Sequence, residues 1–494
     1  MLKGLLKADN ISAELRELVL GKCEGNPFYL EEVVKDFLEE GIIKQANGKY
    51  VLSKEASRLR VPGTIHNVIM SRIDRLDENL KKTLQYASVI GREFSLSLLK
   101  EIAGIGEEIH EYLGKLKESE LIYEKGIYPE HGYLFKHALT QEATYNSMLL
   151  SKRKELHGSI AGILEELHRE RLEDYYEILA YHFHLGDNKE KALKFSTLAG
   201  DKAYRLHSTR EAKDYYEKGI KLTEEMTKNR KNQLNKIDLT LKLVKALRFF
   251  ESPEQILKVL KEVEELARML GDQKALAKIL SSIGLFTVIS GKNQEDGIKY
   301  GEQSLKLASR LKDDKLISSA YYSLSLAYYF TREIPKTIEI IKKSYSFNKK
   351  TGDFFEASHS LIHLGVSYWH GGDYDRGTRY LKEARKFAEE RRAPTMVAHT
   401  YCGHGGYGIF YGNIKEGIKD CQRGMELFEG LGDLYYYLIT SGCYWYGHYK
   451  TSGEKEAIKH LEEIIKIKED KNMWIWQPML YSFLAEIHID LGNV

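Results

Sequence analysis

Gly297-Ile-Lys-Tyr-Gly-Glu-Gln-Ser304 is followed forty residues later by Thr337-Ile-Glu-Ile-Ile-Lys-Lys-Ser344, and then by Gly377-Thr-Arg-Tyr-Leu-Lys-Glu-Ala384, Gly417-Ile-Lys-Asp-Cys-Gln-Arg-Gly424 and Ala457-Ile-Lys-His-Leu-Glu-Glu-Ile464. Five copies in strict register mark a repeat, and a repeat governs the whole fold. The site seven residues into each copy, Ser304, Ser344, Ala384, Gly424 or Ile464, is small in four cases of five. Residues seven apart share one helical face, so the spacing predicts a helix approached closely by a neighbour.

Working outward, each unit reads as two helices. The first carries apolar residues at helical spacing, as at Leu361, Leu364, Gly365 and Tyr368, and ends in a polar turn such as Gly371-Gly372-Asp373. The second closes at Gly271-Asp272, Asp313-Asp314, Gly352-Asp353 or Gly432-Asp433, where glycine supplies the left-handed stop. A helical hairpin cannot bury its apolar face alone, so the units are expected to stack into a solenoid. Weaker copies run back through Leu257, Ala212 with Tyr216, and Ala192 with Ala199. At the other end Leu480 to Leu491 reads as a first helix, and Gly492-Asn493-Val494 stands where its partner would begin, as if the array were cut short.

Composition agrees. Seven prolines in 494 residues leave long stretches uninterrupted, so the chain is expected to be mainly α. The 74 basic and 72 acidic residues nearly cancel, which gives no field to attract nucleic acid or an anionic membrane. Cys23, Cys402, Cys421 and Cys443 form no C-x-x-C pair, against a zinc knuckle or disulfide framework. No window reaches the roughly 18 apolar residues of a membrane span, and the expected location is the cytoplasm.

The paired helices resemble the tetratricopeptide repeat (TPR) family. Its aromatic, Leu, Gly, aromatic series matches Tyr321, Leu324, Ser325 and Tyr328, with Ser for Gly, and Leu361, Leu364, Gly365 and Tyr368 without the leading aromatic. The period of 40 exceeds the family's 34, which implies longer helices. The resemblance covers roughly residues 175 to 494 and implies a protein partner bound by the array. Tyr368, Trp369, Tyr444 and Trp445 are candidates for that contact; the competing reading places such aromatics in inter-repeat packing.

The first 150 residues differ. Helical patterns at about 78–89, 95–103 and 107–119 precede a β-hairpin formed by Leu121 to Lys125 and Tyr133 to His137, the parts of a winged helix. The strings Gly25-Asn26-Pro27-Phe28-Tyr29-Leu30-Glu31-Glu32, Val61-Pro62-Gly63-Thr64-Ile65, Ser71-Arg72-Ile73-Asp74-Arg75-Leu76, Ala87 to Phe94 and Phe135-Lys136-His137-Ala138-Leu139-Thr140-Gln141-Glu142 occur in that order. Together they resemble the downstream half of a signal-transducing AAA-related (STAND) ATPase module, as in prokaryotic multidomain proteins with a class III adenylate/guanylate cyclase domain and a TPR array. The resemblance divides the chain into the helical C-terminal part of an ATPase module (1–62), a winged-helix domain (63–150), a helical linker with the first TPR-like hairpins (151–226) and the solenoid (227–494). It implies that Gly25 and Pro27 lie near an adenine and that His137 reaches the ADP β-phosphate in an intact module.

No G-x-x-x-x-G-K-[ST] phosphate cradle is present, nor an apolar strand ending in paired acids for Mg²⁺. Catalysis, a resident cofactor and a metal are therefore not expected of this chain; ATP or ADP would require an upstream domain, and a separately encoded P-loop ATPase or cyclase portion is an expected partner. The expected function is the regulatory, partner-sensing portion of such an ATPase. A stand-alone TPR scaffold is the alternative, and a winged-helix DNA-binding regulator a weaker one, because Glu107, Glu108, Glu111 and Glu118 would put acid on its recognition helix. His359 and His363, four apart, share a helical face but lack a third ligand and read as packing; His182 and His184 read as one core and one surface residue.

Overall fold

The computed structural model describes every residue except 1, 7–9, 24–25, 47–48, 54–63, 127–130, 207, 249–250, 291–292, 472, 474–475 and 494. The chain divides into two compact units, Met1–Phe195 and Ser196–Val494.

The first unit begins with α1 (Leu2–Leu5), α2 (Ala13–Cys23) and α3 (Pro27–Glu39). Asn26 accepts the amides of Phe28 and Tyr29, and Pro27 takes the first helical position, where its missing N–H costs nothing. The apolar face of α3, with Val33, Val34 and Phe37, packs on Leu15, Val19 and Val68. A hairpin follows, β1 (Ile43–Ala46) against β2 (Lys49–Leu52). The sequence reading makes the segment 1–62 a helical part, to which this hairpin is an addition; the sequence carries Asn-Gly between the two strands, a hairpin signal which that reading does not use.

Helices α4 (Ile65–Asp74), α5 (Glu78–Ile90), α6 (Leu96–Ala103) and α7 (Glu108–Glu118) surround one core containing Ile69, Leu84, Leu99, Leu113 and Phe135. Thr64, Asp77 and Ser95 each cap the helix that follows them. Three short strands, β3 (Glu93–Ser95), β4 (Ile122–Gly126) and β5 (Gly132–Phe135), form an antiparallel sheet of order β3-β5-β4. The β4–β5 hairpin lies where the sequence places one; β3 is an addition of three residues, too short to leave a period-two pattern. The unit continues with α8 (Ala138–Asn146), α9 (Leu150–Leu167) and α10 (Tyr176–Leu185). His182 is buried and His184 exposed, as expected of residues two apart on a helix.

The second unit is an α-solenoid. The boundary between the units falls inside α11 (Lys189–Arg205), and the helices after it are α12 (Thr209–Glu225), α13 (Arg230–Leu247), α14 (Pro253–Leu270), α15 (Gln273–Ile289) and α16 (Gln294–Leu311). Then come α17 (Asp314–Phe330), α18 (Ile334–Thr351), α19 (Phe354–His370), α20 (Tyr374–Glu390), α21 (Pro394–Phe410), α22 (Ile414–Gly430), α23 (Leu434–Ser452), α24 (Glu456–Asp470) and α25 (Gln477–Asp490). The repeat period of 40 is made of two long helices: α19 and α20, for example, have 17 residues each. Gly271 and Gly352 end α14 and α18 at φ 67° and 71°, and Asp272 and Asp353 beside them cap α15 and α19. The glycine-aspartate pair thus stops one helix and starts the next.

The small positions of the repeat are where backbones touch. Gly297, Gly377 and Gly417, each the fourth residue of its helix, face Gly284, Gly365 and Gly405 on the preceding helix. A Cβ on Gly417 would stand 2.8 Å from the Gly405 carbonyl oxygen, and one on Gly365 would stand 2.9 Å from that of Gly377. Close approach of this kind leaves no room for a methyl group, which is why the sequence holds these sites small.

Candidate functional site

In the first unit, three of the five quoted strings meet at one junction. Glu31 and Glu32 come from α3, Arg72 from α4 and Arg75 from the residue that caps its C-terminal end, and Lys136 and His137 from the link between β5 and α8. Arg72 is 3% exposed and gives Nη1 to Glu32 at 2.5 Å, with Nη2 on Glu39 at 3.0 Å and on the Ser119 carbonyl at 2.8 Å. Arg75 pairs with Asp36 and, at 2.6 Å, with Glu40. Lys136 holds Glu31 and Glu120, each at 2.6 Å, and Lys35 pairs with both. Hydrogen bonds from Lys136 and Lys35 draw the Glu120 carboxyl down to about 2.

His137 stands behind this network. Its ring packs on Phe28 with centroids 3.9 Å apart, and its Nε2 is buried without a hydrogen-bond partner. Burial lowers its pKa, the pull of Glu32 and Glu31 opposing that shift. Glu31, Glu32 and His137 present ligand atoms within 4.8 Å of one another. The sequence reading named His137 but missed this grouping, because 105 positions separate Glu32 from it. Pro27 is exposed at the start of α3; Gly25 lies outside the described residues.

In the second unit the first helices of successive repeats, α17, α19, α21 and α23, line a cavity of about 440 Å³, with Arg248, Trp476 and Met479 also on its wall. A volume of that size suits a small ligand or a few side chains of a partner. Its surface is aromatic and aliphatic, including Leu326, Ile362, Val366, Tyr407 and Phe410, with imidazoles between. Tyr322 Oη and His363 Nε2 are 3.1 Å apart, as are His359 Nε2 and His399 Nδ1. His370 lies between Tyr329 Oη at 2.7 Å from Nε2 and Tyr411 Oη at 3.0 Å from Nδ1. These partners are 40 or 41 residues apart, so one repeat's polar group meets the equivalent position of the next repeat, as His359 does, or the residue after it.

Burial fixes the protonation of this lining. It holds His359 well below its ordinary value, His363 at about 4 and His370 below its usual range. It also pushes Tyr329 and Tyr436 up to about 12 and Cys402 to about 11. His359, His363, His370 and the phenols of Tyr329 and Tyr436 are therefore neutral near pH 7. Burial works against the charge of Arg248, but nearby Tyr204, Tyr436, Tyr322 and Glu356 more than offset it.

None of the four aromatics chosen from sequence lies on this wall. Tyr368 is buried and stacks on Tyr380; Trp369 is buried, donates Nε1 to the Tyr374 carbonyl at 3.0 Å and fills the space beside Gly377. Trp445 stacks on His460, and Tyr444 packs edge-on against Trp445. His359 and His363 do share the cavity wall, through separate partners. The signal that would have found the wall is the recurrence of Tyr and His at the 40–41 spacing in the first helices.

No family model matches the chain, and no curated protein does. Among solved structures it is similar to a signal transduction ATPase with numerous domains (STAND) protein with a tetratricopeptide repeat sensor from Pyrococcus horikoshii, at 16% identity and a TM-score of 0.52, over 99% of this chain and 68% of that one. It is also similar to a Rap protein solved in complex with competence and sporulation factor, at 13% identity and a TM-score of 0.45 over 72% and 93% of the two chains. A third similarity, to aspartyl phosphate phosphatase F from Bacillus subtilis, has 11% identity and a TM-score of 0.44 over 90% and 94%. At such identities likeness speaks to fold: the chain is a mainly helical protein with a TPR-like α-solenoid.

Proposed function

We propose that this chain is the regulatory, partner-sensing portion of a STAND-type signalling ATPase, and that a segment of a protein partner seats in the cavity of its array. The cavity carries the proposal: a largely apolar, aromatic wall with a few fixed polar groups is the usual form of a binding site. The order of the five strings in the first unit and the fold shared with a STAND protein that has a TPR sensor support the setting. In that reading Pro27 and His137 contact nucleotide only when an upstream domain supplies the phosphate cradle. The chain works by binding rather than catalysis.

Selection of a displayed peptide library on the purified chain tests the reading. Enriched peptides should bind the chain and lose at least tenfold in affinity to Leu326→Trp, which fills the cavity from a partly buried wall position. Peptides that bind Leu326→Trp as tightly as the parent would move the partner site elsewhere, and a library without enrichment would count against partner sensing through this cavity.

A further inference from the structure

We propose that Glu31, Glu32 and His137 form a site for a divalent transition-metal ion, with zinc as the best fit. The three side chains place one carboxylate oxygen each from Glu31 and Glu32 and an imidazole nitrogen within 4.8 Å of one another. Tetrahedral ligands bound at about 2.0–2.2 Å stand roughly 3.3–3.6 Å apart, so side-chain rotations that draw these atoms together by up to about 1.5 Å would close the set on an ion. One nitrogen and two oxygens make a donor set zinc accepts, and three protein ligands leave a position for water.

Three further observations favour an ion here over a chance grouping. His137 Nε2 is buried and has no hydrogen-bond partner, an arrangement that costs free energy unless something binds the nitrogen. Both carboxylates are already oriented from outside, Glu31 by Lys35 and Lys136 and Glu32 by Arg72, which is the service that outer groups give metal ligands. Two groups of ion pairs flank the site: Glu31 and Glu120 with Lys35 and Lys136, formally neutral, and Glu32, Asp36, Glu39 and Glu40 with Arg72 and Arg75, formally −2. With the imidazole neutral the two groups sum to −2, which a divalent cation balances. The ion would tie the N-terminal half of α3 to the β5–α8 link. The proposal stands whether or not the array senses a partner, and it requires no upstream domain; in an intact module the ion and a nucleotide phosphate would compete for the His137 nitrogen.

Calorimetric titration of zinc chloride into the full chain tests it. One site is expected, weakened at least tenfold by His137→Ala and by Glu31→Gln; His137→Gln, checked for folding by circular dichroism, serves if the alanine variant does not fold. Cobalt should give d–d absorption without a sulfur-to-cobalt charge-transfer band. Absence of zinc binding, an isotherm unchanged by the His137 and Glu31 variants, or a charge-transfer band placing the ion on cysteine would each overturn the site.

Discussion

Arg72 shows how much one buried side chain can hold. Its guanidinium joins α3 through Glu32 and Glu39 and the end of α7 through the Ser119 carbonyl, so three pieces of the first unit meet on it. Removing one partner of a buried pair leaves the other charge without compensation, which costs about 3–5 kcal/mol, whereas replacing both by apolar groups is often neutral. Arg72→Met should therefore lower the thermal midpoint sharply, and Arg72→Met with Glu32→Leu should regain most of the loss. Equal loss in single and double variants would mean that Arg72 contributes mainly through Ser119 and Glu39. Gly377 makes the matching point for packing. A Cβ there would stand 1.9 Å from Trp369 Cδ1 and 2.8 Å from the Gly365 carbonyl oxygen, and only the ring has freedom to move. Gly377→Ala should cost about 1–3 kcal/mol, as overpacking does, read from the denaturant midpoint; an unchanged midpoint would show that the ring yields freely.

At the scale of elements, α9 and α10 are joined by a buried histidine pair. His157 Nδ1 lies 2.8 Å from His182 Nδ1, and His157 Nε2 lies 3.0 Å from the Tyr145 hydroxyl. Burial lowers the two to about 4 and about 3, with Arg153 adding to the shift at His157 and His157 adding to that at His182. Both folded values lie below the unfolded value near 6.5, so the unfolded chain binds more protons between them. Stability from the pair is complete above about pH 6.5 and falls with acid, by about 2 kcal/mol per histidine at pH 5. Urea midpoints at pH 7.5 and 5 should differ accordingly, and His182→Leu should flatten the difference; a slope unchanged in the variant would assign it to other groups. This pair also marks a limit of sequence reading. The spacing of His182 and His184 put one of the two in the core without saying which, and nothing local pairs His182 with a residue 25 positions away. The repeat was legible because backbone contact demands small residues at Gly377 and Gly417 in every copy. The cavity wall was not, because Tyr322 and His363 face a space made by four helices, and aromatic content alone pointed to Tyr368 and Trp369, which fill gaps inside the repeat. His137 was found through a family resemblance; its neighbours Glu31 and Glu32 came together only through the fold.

At the scale of the whole molecule, the two compact units should lose structure differently. A core unit such as Met1–Phe195 has contacts that close over long sequence distances, as between Glu31 and Lys136, and is expected to open cooperatively. In the solenoid each repeat gains most of its stability from its neighbours, so damage should spread by one repeat and fade. Gly405→Ala offers a clean source of such damage: a Cβ there would meet the Cys421 amide nitrogen at 2.7 Å and the Gly417 carbonyl oxygen at 2.9 Å, both on α22. Amide exchange should quicken in α21 and α22, less in α20 and α23, and stay unchanged in α12 to α14, because opening free energies are local wherever contacts are local. The polar pairs between successive first helices set how far the effect reaches, since Tyr329, Tyr407 and His370 link α17, α19 and α21. Uniform acceleration from α12 to α25 would instead make the array one cooperative block, and the partner expected in the cavity would then act on all of its repeats together.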